Sequence, residues 1–214
     1  MNAINKQLEQ LNFMLIEMGA LVERAVACAA KGFVSQDKEN AENVFRIGGE
    51  IEAKEKEIEA LCMKLLLRSI DSAELRTISS VLHMISDLRK IGEQAGEISE
   101  VSLFMLEQPY TIDLSVITDM ARATINMTID SIHALVHNDI NMALAVRESD
   151  DRVDELFVNE KDMLIRTVRE KAECASQALD FMMVAKYFER IGDHASDVAE
   201  WVIYSITGKH TDSN

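Results

Sequence analysis

Leu8, Leu11, Leu15, Met18, Val22, Ala25 and Ala29 alternate steps of three and four, the spacing that lines one face of an α-helix and builds a bundle seam. The pattern predicts a first helix from Ile4 to Val34. Asp37 is placed to cap a second by accepting from its free amides, and Val44, Ile47, Ile51, Ile58, Leu61 and Leu65 carry that helix to Leu67. Asp71-Ser72-Ala73-Glu74 reads as a capping box, followed by Leu75, Ile78, Leu82, Ile85, Leu88, Gly92, Ala95 and Ile98 in a third helix that ends before Pro109. Beyond the proline the plan repeats. A fourth helix runs from Asp113 to His137, and a fifth from a cap at Asp139 to Val168 with Val146, Val153, Phe157 and Leu164 on its face. The sixth runs from Cys174 to Ile206 with Phe181, Ala185, Phe188, Gly192, Ala195, Ala199, Val202 and Ile206.

The repetition extends to identity. Tyr187-Phe188-Glu189-Arg190-Ile191-Gly192-Asp193-His194 is echoed by Asp87-Leu88-Arg89-Lys90-Ile91-Gly92-Glu93-Gln94, displaced by 100 residues, and the caps Asp37 and Asp139 are displaced by 102. The two-residue difference is expected in the loop joining the second and third helix of each half. Pro109, the single proline, sits near the middle and marks a hinge between halves. The expected fold is therefore all-α, two tandem three-helix bundles over residues 1–108 and 109–214. One proline and eight glycines leave little material for the turns of a strand-rich fold.

A net charge of −15 and the lack of a Lys/Arg cluster argue against nucleic acid as a partner. Met1–Gln10 has the charged and amide side chains that a signal peptide's apolar core excludes, and no apolar run is long enough to span a bilayer, so a cytoplasmic protein is expected. Cys28, Cys62 and Cys174 are odd in number and lack CxxC spacing, which fits buried thiols in a reducing compartment.

Acidic pairs at helical spacing are the candidate chemistry. Glu189 and Asp193, with Asp197 one turn further, climb from the flank of the sixth helix's apolar stripe towards the surface, and Asp150 and Asp154 border the stripe of the fifth. Two i, i+4 carboxylate pairs on neighbouring helices are suited to a hard or borderline cation, which offsets their repulsion; the same acids also fit a solvated acidic face. His133 and His137 share a helix face, but their counterparts are Lys31 and Ser35, which favours a solvated pair. Methionines such as Met18 and Met182 read as core filler. Neither a Gly-rich phosphate loop, nor a nucleophile-base order, nor a Glu-x-x-His pair is present, so no enzymatic activity is expected.

The stretch from Tyr187 to His194, with Ala199-Glu200-Trp201, resembles the C-terminal signature of the PhoU family of bacterial phosphate-signalling regulators. Leu15-Ile16-Glu17-Met18-Gly19-Ala20-Leu21-Val22-Glu23 is similar to that family's first helix. The resemblance implies two tandem three-helix bundles in a cytoplasmic, often dimeric protein without catalysis of its own. It implies as partners the ATPase subunit of the phosphate ABC transporter and a sensor histidine kinase, with the membrane reached only through them, and negative regulation of phosphate uptake and starvation genes. Some PhoU-like proteins bind iron or zinc through Glu/Asp-x-x-x-Asp motifs on two helices per bundle. Here Asp150 with Asp154 and Glu189 with Asp193 match, and Asp197 is an additional candidate. In the first half the counterparts are Gly48 with Glu52 and Arg89 with Glu93, followed by Glu97, so the motif is broken there. The alternative to an adaptor is a carboxylate-bridged metal protein with an enzymatic or storage role, and a third reading is a purely structural scaffold.

Overall fold

The computed structural model describes residues 3–68 and 71–210, and they form six long helices: α1 (Ala3–Val34), α2 (Lys38–Leu66), α3 (Ser72–Phe104), α4 (Ser115–His137), α5 (Ile140–Glu170) and α6 (Ala175–Thr207), the last entered through a 3₁₀ turn, Ala172–Cys174. The caps fall where the side chains dictate. Asp37 accepts from the Asn40 amide, Asp139 from Asn141 and Met142, and Asp71 and Glu74 complete the reciprocal capping box. Before two of these caps the chain turns through left-handed residues, Gln36 (φ 48°) and Asn138 (φ 51°), again 102 positions apart. Asp113 accepts from the Ser115 amide and hydroxyl, so α4 begins two residues later than expected. The first of the two loops held responsible for the offset includes residues 69 and 70, which lie outside the described residues, as do Met1 and Asn2.

Within each half the three helices pack on one another, and α1 against α4 and α3 against α6 join the halves into a continuous apolar core. At the α1–α4 crossing a Cβ on Gly19 would lie 2.5 Å from Ile132 Cγ2, so only glycine permits that approach. Along the α3–α6 contact, Arg76 meets Ser205, His83 stacks on Trp201 at 3.9 Å, and Asp87 meets His194. The order is reversed between the two helices, so the two equivalent helices run antiparallel. That is the relation a pseudo-twofold axis between the halves requires.

The connector around Pro109 is clamped, in contrast to a free hinge. Gln36 donates to the Met105 and Gln108 carbonyls from one side. Gln177 accepts from the Thr111 amide and hydroxyl and donates to the Pro109 carbonyl from the other. Tyr110 donates to the Phe33 carbonyl, and its ring lies 5.3 Å from that of Phe33 and 5.1 Å from that of Phe181. One aromatic cluster thus ties α1, the connector and α6.

The buried face of α6 is wider than the expected stripe. Val184, Ile191, Val198 and Ile203 are buried beside it, because α6 packs against α3, α4 and α5 at once, while Ile206 at its end is exposed. On α5 the buried positions include Leu156 and Glu160, and Phe157 is half-buried. Cys62 and Cys174 are buried and Cys28 half-buried, all as free thiols.

Candidate metal centre

The floor of the acidic cluster is Gly192. A Cβ there would sit 3.3 Å from Asp150 Oδ1 and 3.4 Å from Val153 Cγ1, so the missing side chain makes room for a carboxylate from α5 against the α6 backbone. Asp150 is half-buried in that position. Burial, then repulsion from Asp193 and Asp154, pushes its carboxyl up to about 6. Burial and Glu189 raise Asp154 above the ordinary range, and burial with Glu189 does the same to Asp193. The four acids expected to converge therefore act on one another across the α5–α6 seam. Lys186 is the cation closest to hand: its Nζ bonds both Glu189 oxygens and lies 5.4 Å from the Phe157 ring centre. One ammonium does not balance four carboxylates, and a divalent cation is suited to the excess. The ladder opens outwards as its spacing predicts, from a Glu189 side chain 13% exposed to an Asp197 side chain 60% exposed.

The first-half equivalent is a small cleft of about 150 Å³ between α2 and α3, lined in part by Gly48, Glu52, Arg89, Gly92 and Glu93. Arg89 bonds Glu93 one turn along α3 and reaches Glu55 on α2 at 3.2 Å. Glu52 is exposed, and burial followed by the neighbouring Glu97 carboxylate raises the Tyr187 hydroxyl above its ordinary range. The guanidinium pairs with the acids on both helices, so the residues of this cleft fit a cation less well than those of the α5–α6 seam.

Asp197 faces two ways. Its charge reaches Asp150, and its Oδ2 lies 3.7 Å from His194 Nδ1, which is also 3.3 Å from Asp87 Oδ1. Asp87, His194 and Asp197 bring three ligand-type atoms within 4.8 Å of one another. The flanking carboxylates of Asp197 and Asp87 push His194 up to about 9. Burial alone raises Asp87, but His194 and Lys90, at 3.0 Å, outweigh it and hold the carboxyl below its usual range. Imidazolium and ammonium thus balance this cluster without a metal. Helical spacing shows the i, i+3 pair of His194 and Asp197 but not Asp87, which joins it only where α3 crosses α6. His133 and His137 are exposed, and the His137 Nδ1 is engaged by the His133 carbonyl at 2.9 Å.

Glu160 was not anticipated. It is fully buried on α5, neither carboxyl oxygen has a hydrogen-bond partner among the described residues, and burial followed by the nearby Asp113 charge pushes it up to about 7. Its counterpart in the first half is the buried Ile58. The repeat supplied the signal: a glutamate stands where the duplicated helix has a core isoleucine.

The PhoU domain family model matches residues 15–102 and again 117–202, one copy over each half. The chain belongs to the PhoU family. Among curated proteins it is 30% identical over 209 residues to a phosphate-specific transport system accessory protein PhoU homolog of Clostridium acetobutylicum, covering 97% of this chain and 95% of that one. The crystal structure of PhoU from Pseudomonas aeruginosa superposes with a TM-score of 0.92 at 28% identity, covering 96% of this chain and 99% of the other. The phosphate transport system regulatory protein PhoU from Streptococcus pneumoniae shares the fold, with a TM-score of 0.90 at 22% identity over 98% and 100% of the two chains. Two PhoU domains in one helical chain agree with the duplication and the all-α architecture read from the sequence. Among the described residues no helix is long and apolar enough to cross a membrane.

Proposed function

We propose that this chain is a regulatory accessory protein of a phosphate-specific transport system, without catalytic activity of its own. In this reading it works in the cytoplasm, as a dimer, contacting the transporter's ATPase subunit and a sensor histidine kinase to hold uptake and starvation genes down when phosphate is plentiful. The supporting observation is likeness over nearly the whole length, in both repeats, to proteins named as accessories of that system. Deleting the gene should raise alkaline phosphatase and phosphate uptake in phosphate-rich medium, and the tagged protein should recover the ATPase subunit and the kinase at high phosphate. Unchanged phosphatase and uptake in the deletion strain would overturn the regulatory reading.

The acidic quartet favours a second, compatible proposal. Asp150, Asp154, Glu189 and Asp193, with Asp197 beside them, would hold iron or zinc in the second half alone, since the Gly192 cradle and the mutual repulsion of the acids fit a cation. Bound there, a metal would neutralise the cluster and cross-link α5 to α6. The ladder's drift onto the open surface, ending at the exposed Asp197, suits such a platform better than an enclosed catalytic pocket.

A further inference from the structure

The C-terminal part of α5 and the first turns of α6 do not close on each other. Between them lies a groove of about 430 Å³, floored by Leu164, Ala175, Ala178 and Met182. Its α6 side sets Ala175 and Ala178 beside Leu179 and Met182, and where the first half buries Ile78 the second has only the methyl of Ala178. Its rim leaves apolar side chains in water, with Ile165 43% and Leu179 69% exposed. An apolar channel rimmed by polar residues marks a contact surface more often than chance exposure does.

Charge narrows the occupant. The chain carries 37 acidic and 22 basic residues, yet the charged side chains lining this groove are Lys161 and Arg169, and no acid lines it among the described residues. The first-half counterparts are Glu59 and Leu67, so the cationic rim, like the hollow floor, belongs to the second half. A channel between two helices takes one row of apolar side chains at i, i+3/i+4 and i+7, the face of an amphipathic helix, and Lys161 and Arg169 then meet whatever charges flank that row. An anionic bilayer fits less well, because a net charge of −15 repels it as a body.

We propose that the α5–α6 groove is a docking site for an amphipathic helix of a partner protein whose apolar stripe is flanked by glutamates or aspartates. The proposal does not depend on the regulatory reading, and its test is made on the purified protein alone.

The probe is a labelled helical peptide of about 18 residues, long enough to hold a helix once one face is buried, with leucines at i, i+3, i+4 and i+7 flanked by glutamates. Its twin carries lysines in place of the glutamates. By fluorescence anisotropy the acidic peptide should bind and the basic one should not. Lys161→Glu combined with Arg169→Glu should weaken the acidic peptide at least about tenfold and admit the basic one, and Leu179→Asp should weaken the acidic peptide on the natural protein and the basic one on the double variant. All three positions are exposed, so the fold is retained, as circular dichroism will show. Equal affinity for the two peptides, no binding of the acidic one, or indifference to Leu179→Asp would overturn the proposal. So would self-association, or binding to phosphatidylglycerol vesicles, that Leu179→Asp abolishes while the peptide fails to compete: the groove would then belong to a second copy or to a membrane.

Discussion

The α2–α3 face of the first half and the α5–α6 face of the second descend from one pattern and have become electrostatic opposites. In the second, Gly192 admits Asp150 and four carboxylates crowd one seam with Lys186 as their counter-ion. In the first, Gly48 removes one acid, Arg89 replaces another, and the guanidinium pairs with both Glu93 and Glu55. The same backbone therefore holds a cleft of uncompensated negative charge on one side and a self-neutralised one on the other. Duplication fixes where side chains point, and single substitutions decide what they can hold.

Core positions 58 and 160 extend the contrast and supply the largest expected effects. Placing a carboxylate in the first half, Ile58→Glu, buries a charge without a partner and should cost about 4 kcal/mol in urea unfolding at neutral pH. The reverse change, Glu160→Ile, should stabilise the second half. Glu160 is raised from 4.5 to about 7 on folding, so the unfolded chain releases its proton first as pH rises. Stability is thus fully present below pH 4.5 and is lost as pH climbs through 7, by about 3 kcal/mol for a shift of this size. The isoleucine variant should lack that part of the decline; an unchanged pH profile would show that Glu160 finds a partner in solution.

Smaller effects sharpen the comparison of the two clefts. Arg89→Ala leaves Glu55 and Glu93 without their cation in a partly exposed site and should cost about 1 kcal/mol. A Cβ at Gly48 meets nothing within 4 Å, so Gly48→Asp together with Arg89→Glu should fold normally and rebuild the four-acid pattern in the first half. Metal content should then rise towards twice that of the natural protein; no increase would mean that side chains beyond the quartet define the site.

Much of this was legible in the sequence. The helices, the Asp37, Asp71 and Asp139 caps, the outward drift of the Glu189–Asp193–Asp197 ladder and the Arg89–Glu93 pair follow from spacing, because each depends on residues within a turn or two of one another. What was not legible arises between elements. The broad buried face of α6 reflects three neighbours at once, and Glu55 reaches Arg89 from another helix. His194 meets Asp87 only through the antiparallel crossing of α3 and α6. Glu160 hid for a different reason: a glutamate breaks the apolar pattern, so helical periodicity passes over it, and only comparison with Ile58 exposes it.

The central proposal is that the second half, and not the first, holds the metal. Its most direct test is metal content by mass spectrometry, after loading with iron or zinc and gel filtration, for the natural protein, for Glu189→Ala with Asp193→Ala, and for Glu52→Ala with Glu93→Ala. The account predicts that the first pair of substitutions abolishes binding, that the second leaves it unchanged, and that binding weakens below about pH 6 as Asp150 takes up a proton. Equal metal in the natural protein and the Glu189/Asp193 variant, or loss confined to the Glu52/Glu93 variant, would contradict it.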